Sequence, residues 1–349
     1  IQLGTLKAYL QAAEPDLRVD CHHFFLRLAA ALGYPVYRLL SRETWVAESV
    51  YAALLYPVRT GQIARFFQRQ RPKDRAPAAL DFSTLVEQVK TVSEAFLAET
   101  NWAALDLVGV SVCLCQLTSS LYFIREIRRR APEVPLIAGG SIIGGYAAAD
   151  LLAVFPEIDL IITGEGELPL TRIVRHLRAG GECRDLTPTA GIVRREESVP
   201  EEPKPFWQLA NLKSLPVPDF SDYFALLKSF PAEKQFFPTL PVEMSRGCWW
   251  RAAGADEPYA PASRRSRGCA FCNLNLQWRR YRSKEAGQVL REIQTLTDQY
   301  RLLSVAFMDN ALPTRTSREV FAELARQGKD LYGFAELRAT TGCRTLETL

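Results

Sequence analysis

Three cysteines carry the strongest chemical signal in the 349 residues: Cys269 and Cys272 at C-x-x-C spacing, and Cys248 upstream at the end of an apolar run. Two thiolates so spaced bind one metal ion or one cluster, and a third completes three ligands of an iron–sulfur centre. Arg246, Arg264, Arg265 and Arg267 flank them and are expected to favour the thiolate form that ligates. Unliganded thiols are the plain structural reading, and a zinc site is a third, short of an evident fourth ligand. Cys21, Cys113, Cys115, Cys183 and Cys343 are scattered along the chain. That spread is unlike the dense framework of a small secreted domain and points to a reducing, cytoplasmic setting.

These residues need elements to position them. From residue 105 the pattern alternates between strand and helix. Leu105 to Val112, Val134 to Ala138 and Ile158 to Thr163 are short apolar runs suited to central strands. Ser119–Arg130, Tyr146–Phe155 and Leu168–Ala179 have helical spacing, and Gly191-Ile192-Val193 reads as an edge strand. The series predicts a doubly wound parallel sheet. Ligands on such sheets bind outside the carboxyl ends of the strands. There Gly139-Gly140 and Gly164-Glu165-Gly166 let a ligand approach the backbone, and Ser111 to Thr118, with Gln116, supplies hydroxyl and amide groups.

Before this series, Leu3, Leu6, Tyr9 and Leu10 predict a helix, Leu17–Cys21 a short strand, and residues 22–100 a mostly helical segment. Trp45, Tyr51, Leu54, Leu55 and Tyr56 are its expected core, Gln68–Pro77 a surface loop, and His22 and His23 structural or solvated. After it, residues 196–241 carry eight prolines, from Pro200 to Pro241, and read as a connector without regular structure. A second series follows: Val242–Ser245 and Leu303–Phe307 as strands, Lys284–Tyr300 and Ser317–Gln327 as helices, and Tyr332–Leu337 as a third strand.

Composition narrows the function classes. Apolar residues make up 48% and charged residues 23%, which excludes a disordered or collagen-like chain. A net charge of +4 is too balanced to argue for nucleic acid. No run of about 18 apolar residues suggests a membrane span.

The segment from Met244 to Lys284, with SRGCWW, CAFCNLN and YRSK, resembles radical S-adenosylmethionine (SAM) enzymes. The stretches IQLGTLKAYL, LDLVGVSVCLCQLTSSLYFIREI, AGGS, IDLIITGEGELPL, FMDN and FAEL extend the resemblance to their B12-dependent members. Within these the chain looks most like the C-methyltransferases that mature ribosomally made peptides.

The resemblance implies a Rossmann-like cobalamin-binding domain with a helical N-terminal part over 1–195 and a proline-rich connector over 196–240. The N-terminal half of a partial (β/α) radical SAM barrel would follow over 241–349. It implies that Cys248, Cys269 and Cys272 hold a [4Fe–4S] cluster whose fourth iron binds S-adenosylmethionine. Asp309 and Asn310 would face the methionine end of that molecule, with surface capping as the alternative; Glu336 and Arg338 are weaker candidates. Trp249 and Trp250 would pack over the cluster or substrate, or form aromatic core. In cobalamin domains a Ser-x-Leu and a later Gly-Gly line the tail pocket, and Ser111-Val112-Cys113 and Gly139-Gly140 stand in those places. Ser111, Gln116, Thr118, Gly139, Gly140, Gly164, Glu165 and Gly166 are the expected cofactor contacts. No Asp-x-His-x-x-Gly offers a histidine to cobalt.

The implied reaction is methylation of an unactivated carbon of a precursor peptide, through a 5′-deoxyadenosyl radical and methylcobalamin. Electrons would come from a flavodoxin- or ferredoxin-type donor, with no nucleic-acid or membrane partner. Action on a lipid or small-molecule natural product, a ring rearrangement, and a non-catalytic cobalamin-binding fragment are the rival readings.

One departure stands out. Twenty residues separate Cys248 from Cys269, where the family typically has three and its peptide-maturing members about seven. Ser-Arg-Gly-Cys also occurs twice, at 245–248 and 266–269. Lengthening a closed loop from seven to 20 residues costs only about 1 kcal/mol, so the question it raises is geometric. A first sheet strand is expected before Ile1 and further barrel strands after Leu349. The sequence therefore reads as most of one domain and half of another, inactive by itself.

Overall fold

The first helix, α1 (Gln2–Ala13), buries Gly4, Thr5, Lys7 and Leu10 along one face. Its closest approach is at Gly4, where a Cβ would lie 2.6 Å from the Phe220 ring. Lys7 donates to Asp222 at 2.6 Å and to Ser221 at 3.0 Å, with Asp219 at 3.4 Å. The computed structural model describes residues 1–71, 81–144, 146–187, 189–195, 207–249, 281–338 and 341–347. These contacts assign Ile1–Cys21 to one compact unit with Gln208–Leu349, while His22–Trp207 forms the other. Leu17–Cys21 is not the expected strand. Its backbone is held by the Leu17 amide donating to the Glu14 carbonyl at 3.0 Å and by the Asp222 carboxylate accepting from the Cys21 amide at 2.9 Å; neither is a ladder partner, without which a strand does not form.

The His22–Trp207 unit opens with α2 (Phe24–Leu32), α3 (Tyr34–Arg42), α4 (Thr44–Leu55), α5 (Thr60–Gln70) and α6 (Phe82–Glu99). Asp81 caps α6 by accepting from the Thr84 amide at 2.8 Å. Leu85, Val89, Phe96 and Leu97 form its buried stripe. His22 is structural, its ring lying 5.4 Å from Phe96 and 5.9 Å from Trp102. Tyr51 and Leu55 are core as expected, but Trp45 is 60% exposed and Tyr56 40%. Trp45 sits edge-on to Phe66 at the surface, in the first turn of its helix. Gln68 to Gln70 end α5 rather than open a loop; residues 72–77 lie outside the described residues.

The sheet follows: β1 (Val108–Ser111), α7 (Leu117–Arg130), β2 (Leu136–Gly139), α8 (Tyr146–Val154), β3 (Leu160–Ile162), α9 (Glu167–Arg178) and β4 (Ile192–Arg194). Strand order is β1-β2-β3-β4. The first three strands are parallel, as the alternation predicts, but β4 runs antiparallel to β3. A tight turn explains the reversal: the Ile192 amide donates back to the Thr189 carbonyl at 3.1 Å, with Gly191 at φ +83°. The core around Ile124, Leu136, Leu152 and Ile161 fills the space between sheet and helices.

The other unit holds α1 and then α10 (Ser221–Ser229), β5 (Leu240–Val242), β6 (Ser245–Arg246), β7 (Arg282–Ser283), α11 (Ala286–Tyr300), β8 (Ser304–Phe307), α12 (Thr314–Arg326), β9 (Tyr332–Phe334) and α13 (Cys343–Leu346). Helix α10 corrects the expectation of an irregular connector: nine residues between Pro218 and Pro231 are long enough for two turns. Pro200, Pro203 and Pro205 lie outside the described residues. The strands β5, β8 and β9 pair in that order, all parallel, in an open sheet rather than a closed barrel among the described residues. Leu240, Val242, Val289, Ile293, Leu296, Val305, Phe307 and Val320 are its core. The expected strand 242–245 is split at Glu243-Met244, after which β6 pairs antiparallel with β7. No described helix is long and apolar enough to cross a membrane.

Candidate functional site

In the His22–Trp207 unit, strand register brings the expected contact residues to one sheet edge. Ser111 is paired with Gly139, and Gly139 with Ile162. The three parallel strands therefore end level, and the loops after them emerge side by side. The Val112 amide donates to the Gly139 carbonyl at 2.6 Å. Gly140 has φ +126°, and a Cβ there would lie 2.2 Å from the Val112 carbonyl oxygen, so only glycine fits. Gly164 has φ +86°. The segment after it is held by the Glu165 amide donating to the Trp207 carbonyl at 2.9 Å. Glu165 is buried, and the Thr163 hydroxyl beside it is buried without a hydrogen-bond partner among the described residues. Gly166 then starts α9.

Gln116 starts α7, and Thr118 lies in the first turn. The first-turn amides that usually attract an anion are already engaged. Glu48 of α4 accepts from the Leu117 amide at 3.0 Å, from the Thr118 amide at 2.8 Å and from the Thr118 hydroxyl at 2.6 Å. Thr118 is thus tied to a protein carboxylate. The preceding loop is tied to the same helix, the Cys115 thiol donating to Thr44 at 3.0 Å. Leu114, between Cys113 and Cys115, is 68% exposed. Sequence reasoning missed Glu48, because no spacing links it to a helix 69 residues later.

In the other unit, Val242 and Phe307 are paired, so the residues two further on, Met244 and Asp309, meet at the carboxyl ends of β5 and β8. Asp309 is buried, with one carboxylate oxygen accepting from the Met244 amide at 3.0 Å and the other from the Ser245 hydroxyl. Burial pushes its carboxyl up to about 6, against the downward pull of those two hydrogen bonds. The Met244 carbonyl accepts from the Lys284 amide at 2.7 Å. Ser245 and Arg246 then pair with Ser283 and Arg282, and Gly247 at φ +82° turns the chain into Cys248. Beyond Cys248, the Trp249 indole donates to the Leu312 carbonyl at 3.2 Å, and the Arg338 guanidinium lies 5.3 Å from its ring.

The surrounding charges are paired. Arg246, expected to favour a thiolate, donates to Glu243 at 2.9 Å, so its charge is taken up by that neighbour. Lys284 and Glu292 form an ion pair at 2.6 Å with both side chains buried. Burial pushes the Glu292 carboxyl up, opposed by the Lys284 ammonium. Asn310 and Glu336 are exposed. Cys269, Cys272, Trp250, Arg264, Arg265 and Arg267 lie outside the described residues. The structure thus joins Asp309 to the Cys248 segment, while Asn310 and Glu336 are surface residues.

No family model matches the chain. It is 23% identical over 239 residues to an uncharacterized methyltransferase of Pyrococcus horikoshii, which covers 68% of this chain and 47% of the relative. It is 27% identical over 192 residues to the anaerobic magnesium-protoporphyrin IX monomethyl ester cyclase of Synechocystis, covering 52% of this chain and 30% of the relative. The chain therefore spans less than half the length of either curated relative. Among solved structures it is similar to TsrM of Kitasatospora setae, a radical S-adenosylmethionine methyltransferase, with a TM-score of 0.44 and 17% identity. That match covers 77% of this chain and 47% of TsrM, whose structures hold tryptophan with a SAM analogue, or cobalamin with a [4Fe–4S] cluster. OxsB, a cobalamin-dependent SAM radical enzyme with aqua-cobalamin bound, gives a TM-score of 0.46 at 16% identity over 70% of this chain and 32% of OxsB.

Proposed function

We propose that the chain is part of a cobalamin-dependent radical SAM methyltransferase acting on a peptide substrate. The His22–Trp207 unit would bind cobalamin, and the unit of Ile1–Cys21 and Gln208–Leu349 would belong to a radical SAM barrel and hold the cluster. The observation that carries this reading is Cys248, presented two residues past the end of β6 and followed in sequence by the Cys269–Cys272 pair. The similarity to a methyltransferase over 239 residues supports the reaction class.

The donor sets fit the groups. Three thiols are the ligand number of a cluster that leaves one iron open to S-adenosylmethionine. Gly140 lets the loop after β2 pack directly on the Val112 backbone after β1, and the buried Thr163 hydroxyl lacks a partner among the described residues. A backbone cradle with a spare hydroxyl suits the tail of a corrinoid. Ser111, Gln116, Gly139, Gly140, Gly164, Glu165 and Gly166 would line it, with Thr118 bracing the loop through Glu48. When bound, these groups supply reductive cleavage of S-adenosylmethionine, with electrons from a flavodoxin- or ferredoxin-type donor, and a transferable methyl group. The chain's own share is positioning and exclusion of water. The level strand ends fix the corrinoid cradle, and the buried Asp309 contacts fix the first thiol.

The test is mass spectrometry of a candidate precursor peptide incubated anaerobically with the full-length protein that contains this chain, S-adenosylmethionine, cobalamin and a flavodoxin-type reductant. A gain equal to one CH2 group, lost with Cys269→Ala, is the expected result; an unchanged peptide counts against it. The cyclase similarity favours a second reading, a ring-forming radical reaction without methyl transfer. The same spectra separate the two, because ring formation adds no carbon.

A further inference from the structure

The segment after β8 touches the chain on both sides of Cys248. Upstream, Asp309 accepts from the Met244 amide and the Ser245 hydroxyl; downstream, the Leu312 carbonyl accepts from the Trp249 indole. Between these grips the path is fixed. Past the anchored Ser245, one ladder residue, Arg246, and one left-handed glycine, Gly247, lead to the thiol. Both oxygens of Asp309 are used, and the residue is 3% exposed. A carboxylate so engaged and so enclosed is poorly disposed to bind a cation. Asn310, its neighbour, is exposed and makes no such link among the described residues.

We propose that Asp309 is a positioning residue for the first cluster thiol: with Leu312 it clasps the segment 244–249 and sets where Cys248 is presented, rather than touching S-adenosylmethionine. The proposal rests on the cluster-binding reading above. Two hydrogen bonds, not a negative charge, do the holding. An amide at this position reproduces both, its oxygen accepting from the Met244 N–H and its NH2 donating to the Ser245 hydroxyl oxygen. The elevated carboxyl pKa fits a site that tolerates a neutral group. A carboxylate that pairs with the methionine ammonium, in contrast, has no substitute in asparagine.

The experiment compares Asp309→Ala, Asp309→Asn and Ser245→Ala with the wild-type chain after anaerobic cluster reconstitution. It reads the rate of iron release to a chelator and the electron paramagnetic resonance of the reduced cluster, both before S-adenosylmethionine is added. Supporting partners of metal ligands change affinity by about 10–100-fold, so Asp309→Ala and Ser245→Ala should release iron about tenfold faster, with an altered resonance. Asp309→Asn should stay within about twofold of the wild type. An Asn variant as damaged as the Ala variant overturns the proposal. So does an Ala variant with wild-type release and resonance but weakened binding of S-adenosylmethionine. Should Asp309→Ala fail to fold by circular dichroism, Ser245→Ala decides, since it removes one hydroxyl and a wild-type release rate there overturns the clasp. A wild-type chain that takes up no cluster removes the cluster-binding reading itself, a failure visible before any variant is compared.

Discussion

Glu48 and Thr118 lie 70 residues apart and meet at the first turn of α7, where the Glu48 carboxylate accepts from the Thr118 amide at 2.8 Å and from its hydroxyl at 2.6 Å. A protein anion thereby fills the position that a phosphate takes at the corresponding helix in many nucleotide-binding sheets. Removing it leaves two amides without their acceptor. Glu48→Ala should lower unfolding stability by about 1–2 kcal/mol, as for the loss of a helix cap. Urea denaturation checks this. Sulfate should restore more stability to the variant than it adds to the wild type, because the vacated helix end can accept the ion.

The cradle depends on Gly140. A methyl group there would meet the Val112 carbonyl oxygen at 2.2 Å, and φ +126° is itself unfavourable to alanine. Gly140→Ala should therefore cost about 2 kcal/mol or more, read in a denaturant titration. Cobalamin binding, followed by its visible absorption, should fall in the same variant. Unchanged stability would contradict the close approach.

The Lys284–Glu292 pair makes a different kind of prediction, since both side chains are buried. Lys284→Met strands a carboxylate and should cost about 3–5 kcal/mol, whereas Lys284→Met with Glu292→Leu should come near the wild type. Without Lys284 the Glu292 pKa rises further above its ordinary 4.5. The native state then holds a proton that the unfolded chain gives up. Stability of the single variant should be highest below pH 4.5 and be lost as pH rises through the folded value. Thermal melts across that range check the sign.

Cysteine reactivity should divide by burial. Burial pushes the Cys21 and Cys183 thiols up to about 11, while Cys343 is exposed. At pH 8 a thiol with pKa 11 is ionised to about one part in a thousand. Iodoacetamide labelling followed by peptide mass spectrometry should find Cys343 modified first. Labelling at Cys21 and Cys183 should grow steeply as pH is raised.

The elements of the chain are more legible in its sequence than the way they pair. Strands β2 and β3 are visible as apolar runs because they are buried in the sheet, while β1, at the edge of the described sheet with Gly109 exposed, is read from its valines. The direction of β4 is not visible, since it depends on the turn at Thr189–Ile192 and not on the strand's own residues. Helix α10 is masked by the prolines that bracket it. The attachment of α1 to the Gln208–Leu349 unit rests on Lys7 meeting Asp219 and Asp222, partners more than 200 residues away that no local pattern links. Asp309 is the sharpest case. Its place after a strand is readable from FMDN, but its partners are set by the pairing of Val242 with Phe307.

Iron and sulfide counted per chain after anaerobic reconstitution test the central claim most directly. The account predicts about four of each, bound by the wild-type chain and lost with Cys248→Ala as with Cys269→Ala or Cys272→Ala. A wild-type chain that binds cobalamin but retains no iron would contradict it.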